Sequence, residues 1–174
     1  MLAINLFGGT ATGRKLISAA LLCELIKAGV TPVVIHESWE AWPPIPSDPI
    51  YGLALQNLRI GEQIGKGTHA VIVMQPLPLF TLYPKMAYSG ELEALAKRLW
   101  DLYTNLNFYL APVAPELVDD HQGELFEPDA KLRRLMRRWG ILAETVTDYD
   151  IAATRLANRI MRYIPNRPDS PSYA

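Results

Sequence analysis

Short apolar runs alternate along this chain with longer stretches whose apolar residues recur at helical spacing. Ala3-Ile4-Asn5-Leu6-Phe7 is a β-prone run that Gly8-Gly9 ends. After Gly13, the positions Leu16, Ile17, Ala20, Leu21, Leu25 and Ile26 predict a helix to about Ala28 with a broad apolar surface. Gly29 stands where a helix ends on a left-handed residue. Thr31-Pro32-Val33-Val34-Ile35 reads as a second strand, and strand, glycine turn, helix and strand in this order make a βαβ unit with a right-handed crossover.

The pattern continues. Trp39 to Pro49 carries Pro43, Pro44, Pro46 and Pro49, each lacking a backbone donor, so an irregular segment is expected there. A helix is predicted over 51–64, and the apolar run His69 to Met74 suits a buried parallel strand. A helix over Glu91 to Asn105 would turn Leu92, Leu95, Leu99 and Leu102 inward, with a fourth strand at Asn107 to Leu110. A proline-containing loop over Ala111 to Gln122 leads to a helix over Asp129 to Trp139, a short edge strand over Thr145 to Asp148 and a closing helix over Ile151 to Tyr163. Strands alternating with helices predict an α/β three-layer sandwich on a parallel sheet. One domain is expected over 1–164, with a flexible proline-rich tail at 165–174.

Composition narrows the function classes. The 174 residues are 49% hydrophobic and 20% charged with a net charge of -1, so no overall field favours nucleic acid or an anionic membrane. The single cysteine, Cys23, has no internal disulfide partner, and its apolar neighbours Ala19 to Leu22 predict a buried small hydrophobe. No apolar run approaches the ~20 residues of a spanning helix. A cytoplasmic protein without a membrane partner is the expectation.

The candidate chemistry lies between the first strand and the first helix. Phosphate-binding loops of the form G-x-x-x-x-G-K-[ST] occupy that position, where backbone N–H groups hold phosphates, the lysine reaches the outer ones and the hydroxyl binds magnesium. Here Gly8-Gly9-Thr10-Ala11-Thr12-Gly13-Arg14-Lys15 keeps both glycines at the required spacing, with Arg14 in the lysine slot and Lys15 in the hydroxyl slot. A plain strand-to-helix turn is the competing reading. Both cations sit at the positive end of a helix, where a nucleotide or phosphate without magnesium is one reading and solvated side chains the other.

Ile4-Asn5-Leu6-Phe7-Gly8-Gly9 resembles the opening of phage-encoded P-loop ATPases related to the nicotinamide riboside kinase group. Val34-Ile35-His36-Glu37 is similar to their second strand, Gln56-Asn57-Leu58 and Glu62-Gln63 to the helix before their third, and Asn105 to Leu110 to their fourth. Gly123 with Ala130 is similar to their lid and its helix, so the likeness spans residues 3 to 160. It implies a P-loop NTPase fold of the nucleoside/nucleotide kinase kind. In that family an aspartate that helps hold magnesium ends the third strand, and arginines follow the lid glycine and the fourth strand. This chain has Met74, Glu124 and the pair Ala111-Pro112 in those places. With the loop lysine and hydroxyl, five groups are replaced, and losing one transition-state arginine alone can slow phosphoryl transfer ~10³-fold.

The sequence therefore predicts a catalytically degenerate, pseudokinase-like protein, phage-encoded and acting in a host cytoplasm. It would bind a protein partner, a host factor or a second copy of itself, or a nucleotide. The alternatives are an active small-molecule kinase using Lys15 and Glu37, and a nucleic-acid-binding module using the basic helix Lys131 to Arg138. Leu132, Leu135, Met136 and Trp139 of that helix are expected to face the core and leave its five charges outside, a pattern that more often marks a solvated face. Trp39, Trp42 and Tyr51 are the candidate interaction residues, as aromatics dominate interface hot spots, against a reading in which they cover the sheet edge. His36, His69 and His121 are too scattered for a metal-ligand pattern, and Asp119-Asp120-His121 carries only a weak one, so no metal is assigned.

Overall fold

A computed structural model describes residues 2–8, 13–35, 49–63, 66, 68–82, 89–111, 129–148 and 151–164. Its centre is β1 (Leu2–Phe7), buried at every position. The other strands are β2 (Pro32–Ile35), β3 (Ala70–Val73), β4 (Thr104–Leu110) and β5 (Glu144–Val146). They form one parallel sheet in the order β2-β3-β1-β4-β5. Helices α1 (Arg14–Lys27), α2 (Pro49–Glu62), α3 (Ser89–Trp100), α4 (Asp129–Arg138) and α5 (Ala152–Ile160) connect and cover it. This is the expected three-layer α/β sandwich. Gly8 follows its central strand and Gly13 precedes its first helix.

Strand residues alternate between two cores because successive side chains point to opposite faces. Leu2, Ile4 and Leu6 pack with Ile72, Phe108 and the inner faces of α1 and α5. Ala3 and Phe7 pack with Val71, Val73 and residues of α2, α3 and α4. Phe7 meets Trp100 edge-on at 6.2 Å between ring centroids. A sheet buried on both faces needs near-continuous apolar strands, and β1 and β3 meet that demand with one exception.

The exception is Asn5, 2% exposed in the middle of β1. Its Nδ2 donates to Asn105 Oδ1 and Asn107 Oδ1, both at 3.0 Å. Asn105 in turn donates to the Trp100 and Tyr103 carbonyls at 2.8 and 3.0 Å. Asn107 donates to the Leu142 carbonyl at 3.2 Å. A buried amide left unpaired costs about 1–3 kcal/mol, so this network favours the observed pairing of Asn5 with Asn107 over a slipped register.

The structure differs from the sequence reading where one element had two possible uses. Helix α3 stops at Trp100 and not at Asn105, because Thr104 to Asn107 pair with Leu2 to Asn5 along the sheet. Its buried positions are Leu92, Ala96 and Trp100, while Leu102, expected inside, is 68% exposed. On α1 the sheet is met by Ile17, Leu21 and Leu25, which leaves Leu16 and Ile26 at the surface. Cys23, expected to be buried, is exposed on the same outer side. The helix ends as the glycine predicted: Gly29, at φ 76°, donates to the Ile26 carbonyl at 2.9 Å and Val30 to that of Leu25 at 3.0 Å. The chain from Trp39 to Asp48 lies outside the described residues, and Pro49 opens α2.

A 3-10 segment, Leu77–Leu82, has no counterpart in the sequence reading. It buries Leu77, Pro78 and Phe80 under α2 and α3. Gly52 of α2 approaches the Phe80 ring so closely that an added Cβ would lie 2.8 Å from a ring carbon. Phe80 is only 2% exposed and has little room to retreat. In a solvent-exposed helix Gly→Ala stabilises by about 1 kcal/mol. Overpacking costs about 1–3 kcal/mol. Gly52→Ala is therefore expected to lower the urea midpoint with an unchanged m-value, a net loss of about 1 kcal/mol.

Candidate functional site

Open α/β sheets bind ligands beyond the carboxyl ends of their strands, where adjacent strands send their connections in opposite directions. From β1 the chain crosses to β2, and from β3 it crosses the other way to β4. The switch point therefore lies between the ends of β1 and β3, at the glycine loop.

Gly13 closes that loop at φ 59° and ψ 25°, left-handed values that suit glycine. Its carbonyl accepts the first helical bond from the Ile17 amide at 2.9 Å. Arg14 follows as the first residue of α1, and its side chain turns inward: it is 7% exposed, and Nη1 donates to the Met74 carbonyl at 2.8 Å. The cation in the lysine slot thus bridges α1 to the end of β3. Lys15 is exposed. The first turn of α1 has no acidic residue, so two cations stand at its positive end, each unfavourable by about 0.3–1 kcal/mol at the surface. For Arg14 a charge-assisted hydrogen bond, about 1.5–3 kcal/mol, outweighs that term.

The end of β3 is closed on its other sides as well. Met74 is fully buried, and its amide donates to the Ile35 carbonyl at 3.1 Å. Its sulfur lies 3.5 Å from Ser18 Oγ, which donates to the Lys15 carbonyl at 2.9 Å. Gln75 is 1% exposed, and its carbonyl accepts from Gln56 Nε2 of α2 at 3.1 Å. Gln56 is fully buried, and its Oε1 has no hydrogen-bond partner among the described residues. The first position after β3 thus holds a thioether, a weak ligand for the hard magnesium ion.

Of the residues the loop reading named, the structure joins Arg14 to the carbonyl of Met74, while Gly8 follows β1 and Gly13 precedes α1. Gly9, Thr10, Ala11 and Thr12 lie outside the described residues, as do His36, Glu37, Trp39, Trp42, Pro112, Asp119, Asp120, His121, Gly123 and Glu124. Tyr51 is on α2 and 51% exposed, next to Ile50 at 39%. His69 has a structural place: its Nδ1 accepts from the Thr31 amide at 3.0 Å, and its own amide donates to the Thr31 carbonyl at 3.0 Å. Among the described residues no three His, Cys, Asp or Glu side chains converge on a metal position, and no helix is long and apolar enough to cross a membrane.

Sequence reasoning missed Ser18 and the pair Gln56–Gln75. Ser18 lies one helical turn after Arg14, a spacing that could have placed it at the same site. Two glutamines joined across 19 positions leave no local signal.

No protein-family model matches the chain, and no curated protein is similar to it in sequence. Among solved structures the chain is similar to shikimate kinase from Acinetobacter baumannii in complex with shikimate. The two are 16% identical over 93% of this chain and 92% of that one, with a TM-score of 0.49.

Arg14 and Lys15 are expected to respond unequally to removal of their charge. Arg14→Met leaves the Met74 carbonyl without this donor and should cost about 2 kcal/mol in urea denaturation. Lys15→Ala should change stability by no more than about 0.5 kcal/mol. Equal losses from both would show that Arg14 is not the anchor of this corner.

Proposed function

We propose that this chain is a catalytically degenerate member of the P-loop kinase-like proteins, phage-encoded, that works by binding a protein partner or a nucleotide rather than by phosphoryl transfer. The observation that carries this reading is the bond from Arg14 to the Met74 carbonyl. Phosphoryl transfer is catalysed by aligned positive charge and a magnesium ion held against the phosphates. A cation that anchors the end of β3 must break a structural bond before it can reach a phosphate.

Met74 supports the same reading independently. It fills the acidic slot, fully buried against Ser18. The likeness to phage-encoded ATPases related to nicotinamide riboside kinases supports the ancestry, and a cytoplasmic location in the host follows from it.

The test is nucleotide binding and turnover. Isothermal titration with ATP and magnesium at millimolar nucleotide is expected to give no binding heat, and a thermal-shift assay no stabilisation. The double change Arg14→Lys with Lys15→Thr, which rebuilds the loop motif, is expected to give no ATP hydrolysis while Met74 stays. ATP turnover by the natural chain that disappears in Lys15→Ala would overturn this function and establish an active kinase.

A further inference from the structure

The five cations of α4 are all exposed but do not share one environment. Arg133 lies over the Tyr109 ring, 4.8 Å from its centroid. Lys131, Arg134, Leu135 and Arg138 recur at i, i+3, i+4 and i+7 and therefore share one stripe. With Leu82, the last residue of the 3-10 segment, they line an open groove of about 460 Å³. Leu135 is 2% exposed and forms the floor with half-buried Leu82, while the three cations stand exposed around it.

These cations are not equally engaged. Arg138 Nε meets Glu93 Oε1 of α3 at 3.0 Å, and the same carboxylate accepts from Trp139 Nε1 at 3.0 Å. Among the described residues Arg134 has a long 3.4 Å bond to the Ala130 carbonyl of its own helix and no carboxylate partner. Its planar fork is built to take a carboxylate through two parallel bonds.

We propose that this groove binds a short acidic segment of a partner protein, with an apolar residue seated on Leu82 and Leu135 and flanking carboxylates held by Lys131, Arg134 and Arg138. Charge complementarity and the leucine floor together select that occupant. Nucleic acid fits worse, because among the described residues no aromatic ring lines the groove for base stacking. The groove's volume is in the range of sites that enclose several side-chain groups. The inference rests on the reading that this protein acts by binding a protein partner, and names the surface and the chemistry.

The experiment is a fluorescence-anisotropy titration of the full chain with a labelled peptide that alternates glutamate pairs with single leucines. Expected is saturable binding that weakens as salt rises, about tenfold weaker in Arg134→Glu, and weaker again when serine replaces the peptide's leucines. Arg134 is exposed, and circular dichroism of the variant checks that the fold is kept. Lys27→Glu, on exposed α1, should leave affinity unchanged and so separates a local groove from general charge. The proposal is overturned by absence of binding, by equal affinity for Arg134→Glu, or by a single-stranded oligonucleotide displacing the peptide at lower concentration than unlabelled peptide does. A parallel titration with ATP and magnesium keeps the two readings apart. Nucleotide turnover removes the non-catalytic reading whatever the peptide does, whereas a silent nucleotide titration with no peptide binding removes the groove alone.

Discussion

A buried guanidinium has to be satisfied, because it cannot be deprotonated and its desolvation is costly. Arg14 meets that constraint by reaching across the switch point to the Met74 carbonyl. The bond fixes the start of α1 relative to the end of β3, and both flank β1. It brings Ser18, one turn further along α1, against the Met74 sulfur. The residue in the lysine position of the G-x-x-x-x-G-K spacing is thus held against the end of β3.

This corner is stiff because the sheet beneath it is. Each residue of β1 is buried, and the two cores on either side of it involve every helix of the fold. The Asn5–Asn105–Asn107 network adds a polar constraint inside that apolar frame. A network whose members find partners fixes register, whereas Gln56 Oε1 has none among the described residues and leaves an unmet polar demand near the end of β3.

The basic helix shows how packing assigns different work to residues of one type. Leu132, Leu135 and Met136 turn inward as their spacing requires. The five cations then divide: Arg133 lies on an aromatic ring, Arg138 pairs with Glu93, and Arg134 lines an apolar groove without a carboxylate partner among the described residues. An ordinary amphipathic pattern predicts the first of these facts and none of the others, because the partners come from β4, α3 and the 3-10 segment.

The alternation of apolar runs was enough to read the five strands, the five helices and their parallel arrangement, since element type depends on side-chain period within a few residues. The spacing Gly8 to Gly13, the cations at Arg14 and Lys15, and the glycine that ends α1 were equally local and equally legible. Boundaries were less so: α3 stops at Trp100 because β1 captures the residues that follow, and Cys23 is outside because three inward residues of α1 already meet the sheet. Which way Arg14 points, what fills the space beneath Met74, and which α4 cation lacks an ionic partner were decided only by tertiary structure. Those outcomes depend on contacts between residues distant in sequence, and local periodicity carries no information about which distant groups arrive within hydrogen-bonding distance.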